Sequence, residues 1–532
     1  MSASTGVGSV YDAARPKDGL RLVELAREIP GGAEVVGDGD TRVFGVQHDS
    51  RRVESGDLFV AKKGAQADGA RFVQDARNRG AAAILAARAG RDAVTVDLPQ
   101  LLVDDVADGL AFAAAAVYGH PSFALDVIGI TGTNGKTTTA HLVRAAIDRA
   151  NAKPSTGIVG TVGHVFGDLV IDASHTTPEG DELARVMALM KKRGASYVAM
   201  EVSSIALTLG RVRAVRFRVA AFTNLTQDHL DFHGSMESYA DAKALLFTTF
   251  APGSAVVHVG DPFGAKIAAR VKAPLVRVTT EVGASAAVAE IAPLRVTMDA
   301  RGIDVTLRTP RGEAHVKSRL VGRHNLENIV VAMGVACALE LDIHAAAEGI
   351  GMEAGVPGRL ERVDTDADDI TVLVDYAHTP DALARVLDSV RDVVRAPGAH
   401  VCCVFGCGGD RDKSKRPLMG TAAMRADLLI ITNDNPRSED PEAIARPIEE
   451  VVRAAGWTRL RANDLDSSPR CYAVELDRAR AIDAAIQRAN AGDVIVLAGK
   501  GHEDYQIIGD EKRHFDDREE ARRALAVRRG GG

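Results

Sequence analysis

Aromatic side chains are scarce in this chain, 4% of 532 residues with Trp457 the one tryptophan, which argues against a platform that stacks nucleic-acid bases. Positive charge is not in excess either. Lys plus Arg number 65 against 72 Asp plus Glu, a net charge of −7, so a general nucleic-acid binder is not expected. No apolar run approaches the ~20 residues of a membrane-spanning helix; the alanine-rich run Leu110 to Tyr118 is about half that length. The first residues, Met1 to Lys17, are rich in Ser and Gly and lack an apolar core, so no secretory signal is expected. Cysteine is also sparse, and the five present (Cys337, Cys402, Cys403, Cys407, Cys471) read as reduced thiols of a cytoplasmic protein. The Cys403–Cys407 spacing has no second Cys/His pair with it, which excludes a zinc site.

What the chain does contain is a repeating pattern. Short β-branched runs end in Gly/Asn/Asp loops and are followed by helical periodicity, the signature of α/β domains with mostly parallel sheets. Breaks near Tyr118-Gly119-His120-Pro121 and Gly355-Val356-Pro357-Gly358 divide it into three expected domains, 1–121, 122–356 and 357–532. Residues 1–17 and Arg528 to Gly532 are expected to be disordered tails.

The strongest local signal follows the strand Val127-Ile128-Gly129-Ile130. The segment Thr131-Gly132-Thr133-Asn134-Gly135-Lys136-Thr137-Thr138 then runs into a helix. Its glycines let backbone N–H groups wrap a phosphate, and the helix N-terminus adds positive dipole. Lys136 is placed to neutralise the outer phosphates and the Thr137 hydroxyl to reach Mg²⁺. Ile130 stands where the general phosphate-loop pattern has its first glycine, so this loop is a variant.

Glu201 ends the buried strand Tyr197 to Met200, at the sheet edge where ligands bind; it reads as a Mg²⁺ ligand or as a cap on the following turn. The next strand, Ala220 to Thr223, leads into a cluster containing Asp228, His229, Asp231 and His233. In the helix after Ser235, Tyr239, Ala242, Lys243, Leu246 and Phe247 share one face, which puts a lysine in an apolar stripe. Its ammonium must snorkel to water, meet an anion, or be lost, since burial lowers a lysine's pKa and a neutral amine can take up CO₂ to become a carbamate.

These motifs resemble the ATP-dependent Mur ligases of bacterial cell-wall synthesis, in particular their MurE type. The residues that carry the resemblance are Thr131 to Thr138, Met200 to Ser204, Thr223 to Gly234, Ala242-Lys243 and Asp375-Tyr376-Ala377-His378-Thr379-Pro380. It implies an N-terminal α/β UDP-binding domain, a central parallel-sheet ATPase-like domain with the phosphate loop, and a C-terminal Rossmann-like α/β domain. It further implies ATP-dependent joining of an amino acid to UDP-MurNAc-L-Ala-D-Glu by a cytoplasmic monomer. By resemblance Gly132, Thr133, Asn134, Gly135, Lys136, Thr137 and Thr138 hold ATP phosphates, and Asn325, Asn328, Arg359, Asp375 and His378 complete the nucleotide site. Thr137, Glu201 and His229 look like Mg²⁺ ligands and Lys243 like a carbamylated lysine supporting a second Mg²⁺. Ser50, Ala65, Gln66, Ala67, Thr176, Thr177, Ser203 and Arg211 match the UDP-sugar dipeptide site, with Ile205, Leu209, Ala65 and His175 departing from the usual family residues.

In the third domain, polar loops follow three expected strands: Gly406 to Arg411, Asn433 to Arg437 and Gly499 to Glu503. Arg411 and Arg437 could fork onto the far carboxylate of meso-diaminopimelate and Glu503 could take its far ammonium. Asp434-Asn435-Pro436-Arg437, with Gly499 at the third loop, resembles the diaminopimelate-adding signature. The competing readings are an L-lysine-adding ligase, a folylpolyglutamate-synthetase-like ligase, and a phosphate-loop switch without ligase activity.

Overall fold

The computed structural model describes residues 13–64, 68–89, 96–226, 228–299, 302–353, 355–356, 358–391, 394, 398–464 and 469–530, without the side chains of 231, 284 and 285. It contains two compact units, Met1–Ala292 with Thr309–Arg311 and Val330–Gly349, and Pro293–Arg308 with Gly312–Ile329 and Ile350–Gly532. Ala65, Gln66 and Ala67, three of the expected substrate contacts, lie outside the described residues.

Besides the short antiparallel pair Leu20–Arg21 and Arg42–Val43, the first unit holds two larger sheets. The smaller is ordered Glu34–Val36, Gln100–Val103, Ala83–Ala87, Asp57–Val60, Gly45–Gln47, parallel except for its first strand. The larger has eight strands: Leu169–Ile171, Gly163–Phe166, Thr156–Gly160, Tyr197–Glu201, Asp126–Thr131, Phe217–Phe222, Ser254–His258 and Leu275–Val278. The first two are an antiparallel extension, and the remaining six run parallel. Strands such as Val127, Ile128 and Ile130 are buried on both faces, as parallel strands covered by helices must be. The alanine-rich run forms the helix Val106–Val117, which packs on Gly180–Lys192; a Cβ on Gly180 would lie 3.0 Å from Ala111 Cα, so the two backbones approach closely.

In the second unit a seven-stranded sheet is ordered Glu361–Arg362, Thr371–Asp375, Val494–Ala498, Val401–Phe405, Leu428–Ile431, Cys471–Val474, Thr458–Arg459, parallel apart from the first strand. The five cysteines form no disulfide. Burial pushes the thiols of Cys402 and Cys407 up to about 12 and about 11, so both stay protonated and inert at neutral pH. Among the described residues no helix is long and apolar enough to cross a membrane.

Both expected tails need correction where they are described. Arg15 is held by Glu54 at 2.7 Å and Asp57 at 2.9 Å. The C-terminal segment is helical from Asp517 to Gly530, and Arg528 and Arg529 pair with Asp369 and Asp368 at 2.8 Å each. Both segments were expected to be disordered, whereas these arginines have fixed partners elsewhere in the chain.

Candidate active site

The phosphate loop is built by the strand before it and by a second strand beside it. Asp126–Thr131 delivers the chain to Gly132, and Gly135, at φ +83°, opens the helix Lys136–Ala150. A Cβ at Gly132, which sits at φ +154°, would collide with Thr223 Oγ1. The end of the strand Phe217–Phe222 pins the loop. Thr133 N donates to Asn224 O at 2.8 Å, Asn134 N to Asn224 Oδ1 at 3.0 Å, and Thr223 Oγ1 to Asn134 O at 2.7 Å. Thr223 and Asn224 had no assigned role in the sequence reading; a polar Thr-Asn pair directly after a buried strand was the available signal. Lys136 Nζ donates to Gly132 O at 3.1 Å and Thr133 O at 2.9 Å, so its charge lies over the loop.

Glu201 is 1% exposed at the end of its strand, and the residues around it converge on its carboxylate. Thr137 Oγ1 donates to its Oε2 at 2.9 Å, Thr161 N to its Oε1 at 2.8 Å and Thr161 Oγ1 to its Oε2 at 3.2 Å. A Cβ on Gly160 would strike Glu201 Oε1, so the glycine makes room for the acid. A hydroxyl and a carboxylate side by side at a phosphate loop suit Mg²⁺, an oxygen-seeking cation that keeps its remaining positions for water and phosphate. His229 is placed differently. It sits at φ +50°, nearly half exposed, 3.5 Å from Asp228 Oδ2 and edge-on to Tyr239, and it makes no hydrogen bond to Thr137 or Glu201. Among the described residues no cluster of three or more His, Cys, Asp or Glu side chains forms a ready metal cage.

Lys243 lies in the helix Met236–Thr248, capped by Ser235, with Tyr239, Ala242, Leu246 and Phe247 buried around it. The side chain is 1% exposed, which removes the snorkelling alternative. Its Nζ donates to Gly132 O at 2.8 Å and stands 4.4 Å from the Tyr239 ring centre. Burial, then the charge of Lys136, drive its pKa well below the ordinary lysine value, against a weaker opposing pull from Asp228. The amine therefore touches the phosphate loop itself.

The expected UDP-sugar residues connect to the same strand end. Thr177 Oγ1 donates to Glu201 O at 2.9 Å, Ser203 N donates to Thr177 Oγ1 at 3.0 Å, and Arg211 Nη1 donates to Thr177 O at 2.9 Å. Thr161 Oγ1 donates to Thr176 Oγ1 at 3.1 Å. Glu179 receives Arg211 at 2.8 Å and Lys62 at 2.6 Å. Ser50 is buried in a short turn capped by Asp49, and the neighbouring His48 bonds Asp181 at 2.8 Å through Nδ1 and at 3.1 Å through its backbone N. Of the departures from the family pattern, Leu209 is exposed at the end of the helix Ser204–Thr208, and His175 accepts from or donates to Ser174 Oγ at 3.1 Å.

The His48–Asp181 pair carries a pH signature. Burial raises the Asp181 pKa, but the charge and hydrogen bond of His48, aided by Arg185, outweigh it and hold the value at about 2 against an ordinary 3.8. Burial likewise works against the His48 cation, and Asp181 outweighs it, raising His48 above 6.5. The carboxylate's contribution is present above its ordinary pKa and lost as pH falls toward 2. That of the imidazolium is present below 6.5 and lost as pH rises through its raised value. Asp181→Asn should therefore cost about 2 kcal/mol between roughly pH 4 and 6.5. The difference in thermal midpoint from the unaltered protein should shrink on either side of that window. A penalty independent of pH would rule the pairing out as its source.

In the second unit, Asn328 Nδ2 donates to Asn325 Oδ1 at 3.0 Å, and Asn325 Nδ2 to Val321 O at 2.8 Å; both asparagines are buried. Arg359 lies over the Tyr376 ring at 5.2 Å, and Asp375 accepts from Leu360 N at 2.7 Å and Ala377 N at 2.8 Å. Burial raises the Asp375 pKa, opposed by Arg359 and those N–H donors. His378 stacks edge-on against Tyr376 at 4.6 Å.

The three polar loops of this unit leave the carboxyl ends of parallel strands and so share one sheet edge. Asn435 Nδ2 donates to Glu503 Oε2 at 3.1 Å, and Asn435 Oδ1 accepts from Ile507 N at 3.0 Å. Arg437, at φ +52°, donates from Nη1 to Gly409 O at 2.7 Å. Gly408 is the meeting point: a Cβ there would be 3.0 Å from Arg437 Nη1 and 3.7 Å from Arg411 Cγ. Lys500 was overlooked in the sequence. It is fully buried, 3.5 Å from Asp434 Oδ1, 3.6 Å from Glu503 Oε2 and 3.3 Å from Asn435 Oδ1, a lysine between two glycines at a strand end. Asp434 Oδ1 is buried without a hydrogen bond, and a Cβ on Gly499 would lie 3.9 Å from Asp434 Cγ. The crevice thus holds both signs of charge.

Comparison with known proteins agrees with this geometry. Residues 42–118 match the family model described as Mur ligase family, catalytic domain; residues 130–336 match the Mur ligase middle domain; residues 358–501 match the Mur ligase, glutamate ligase domain. A relative from Geobacter metallireducens, named UDP-N-acetylmuramoyl-L-alanyl-D-glutamate–2,6-diaminopimelate ligase, is 46% identical over 95% of this chain and 98% of its own length. One of the same name from Gloeobacter violaceus is 45% identical over 93% and 96%. A solved structure of a ligase of that name superposes with a TM-score of 0.69 at 29% identity, covering 96% of this chain and 99% of the other. The chain belongs to the Mur ligase family, in its MurE-type branch.

Proposed function

We propose that the enzyme uses ATP to join meso-diaminopimelate to the D-Glu side-chain carboxylate of UDP-MurNAc-L-Ala-D-Glu. The observation that carries this reading is the mixed-charge crevice of the second unit, where Arg437 and Arg411 approach Gly408 while Glu503 and Asp434 surround Lys500. Two arginines suit a far carboxylate and the acidic residues a far ammonium, which is the zwitterionic end that distinguishes diaminopimelate from lysine. The names borne by relatives at 45–46% identity support the same choice.

Residues 1–121 would take the UDP-sugar peptide, 122–356 ATP and 357–532 the amino acid. Lys136 and the N–H groups of Gly132 to Thr138 would hold the phosphates while the substrate carboxylate attacks the γ-phosphorus and ADP departs. The diaminopimelate amine then attacks the resulting acyl phosphate, and inorganic phosphate leaves as the amide forms. No protein nucleophile takes part, so positioning and electrostatics supply the rate. Thr137 and Glu201 would hold Mg²⁺, which offsets phosphate charge when bound. We include His229 as a ligand that must swing from its place beside Asp228, and Lys243 as the carbamate that supports a second Mg²⁺. The buried thiols fit a reducing, cytoplasmic setting.

Phosphate release from ATP should require both UDP-MurNAc-L-Ala-D-Glu and meso-diaminopimelate. Arg437→Ala should raise KM for diaminopimelate about 30-fold with little change in kcat, since a charge-paired arginine is worth roughly 2 kcal/mol. Release with L-lysine in place of diaminopimelate would overturn the selectivity, and release with no amino acid would overturn the ligase.

A further inference from the structure

We infer that the buried pair Arg478–Asp517 is a positioning device for amino-acid recognition, through which the C-terminal helix holds two of the recognition loops in register. The inference rests on the reading of the mixed-charge crevice as the diaminopimelate site.

Arg478 begins the helix Arg478–Arg488 and is 2% exposed, and Asp517 begins the helix Asp517–Gly530 and is fully buried. The two form a bidentate pair, Nε to Oδ1 at 2.7 Å and Nη2 to Oδ2 at 2.6 Å. The same guanidinium donates from Nη1 to Asn433 O at 3.2 Å and from Nη2 to Ala498 O at 3.1 Å. Asn433 precedes Asp434, and Ala498 precedes Gly499, so each carbonyl belongs to the residue at which a recognition loop departs.

Sheet topology makes this bridge necessary. Leu428–Ile431 and Val494–Ala498 are not neighbours, because Val401–Phe405 lies between them. At ~4.8 Å per strand their ends stand about 10 Å apart, too far for any ladder hydrogen bond to relate them. A planar fork of fixed geometry can tie both carbonyls at once, which a lysine ammonium on a flexible stem cannot. Asn433 Nδ2 adds a bond to Leu476 O at 2.8 Å, just before the arginine's helix. Beyond this brace the loops meet through side chains, Asn435 to Glu503 at 3.1 Å and Lys500 to Asn435 at 3.3 Å. Those contacts have the right length only while the two loop origins keep their spacing. Asp517 is the partner that holds the guanidinium flat against both carbonyls, and it comes from the last helix of the chain. Just before that helix, Phe515 N donates to Asp504 O at 2.9 Å, one residue beyond the third loop.

Arg478 meets two recognition loops at their backbone carbonyls, so the expected effect is on amino-acid affinity and not on phosphoryl transfer. The test measures KM for meso-diaminopimelate, ATP and UDP-MurNAc-L-Ala-D-Glu, with kcat and the thermal midpoint, in two variants of the full chain. The double variant Arg478→Met/Asp517→Leu replaces the ion pair by apolar groups of similar volume, an exchange that is often neutral for stability. Arg478→Lys keeps a cation beside Asp517 but loses the fork, and serves if the double variant does not fold. Either should raise KM for diaminopimelate at least 10-fold, with the other two KM values within about twofold. A lowered midpoint or lowered kcat with an unchanged diaminopimelate KM would reduce the pair to a structural role and overturn the inference. Failure of the underlying reading looks different: the unaltered enzyme would itself show no diaminopimelate-dependent phosphate release.

Discussion

Replacing Lys136 by methionine is expected to lower substrate-dependent phosphate release by about 10⁴-fold, the largest effect of any single change in this chain. Methionine keeps much of the stem and removes the charge. In the structure that charge donates to the carbonyls of Gly132 and Thr133, at 3.1 and 2.9 Å, at the mouth of the loop. Phosphoryl transfer spreads negative charge over the outer oxygens, and a cation fixed there stabilises the transition state more than bound ATP. The loop itself should survive, since Asn224 and Thr223 clamp it independently of Lys136. The variant should therefore keep its thermal midpoint while kcat collapses. A kcat within tenfold of the unaltered enzyme would show that Lys136 is not aimed at the reacting phosphate.

Lys243→Ala should reduce activity by about 10²-fold or more, and formate or acetate should restore part of it. The ammonium form is disfavoured by desolvation and by Lys136, so the neutral amine is easier to reach than in an exposed lysine. A neutral amine adds CO₂ and releases a proton, leaving a carbamate that reverses the sign of charge at the phosphate loop. Truncation to alanine leaves space for a one- or two-carbon carboxylate to stand in for that group. Normal activity in the variant without added acid would defeat the proposal. Loss of activity that no carboxylic acid relieves would leave Lys243 as a structural brace of Gly132, through its 2.8 Å hydrogen bond, and nothing more.

Much of the site is legible in the sequence because its signals are local. A strand, two glycines, a lysine and a helix start are consecutive residues, and the backbone geometry at Gly132 and Gly135 follows from their order. The misfit of Lys243 was visible from helical spacing alone, and its helix spans Met236–Thr248 with the lysine buried in the stripe. Three polar loops after three apolar runs also implied one sheet edge, since parallel strands point the same way.

Other features depend on partners far away in sequence. Both ends read as disordered tails, yet Arg15 pairs with Glu54 and Asp57, and Arg528 with Asp369, 159 residues away. His229 was grouped with the other expected metal ligands by resemblance but stands beside its neighbour Asp228, at a left-handed backbone position. Lys500 and Arg478 gave little sign of burial, since a lone lysine or arginine is ordinarily exposed.

The sequence by itself determined the element order, the phosphate loop and the chemical character of each strand-end loop, because hydrophobic period and glycine conformation act over a few residues. Only the tertiary structure decided which carboxylate faces Thr137, which carbonyl meets Lys243, and how Arg478 joins two strands that do not touch. Those choices depend on where buried charges find partners, and desolvation makes such pairing compulsory only once the chain has packed.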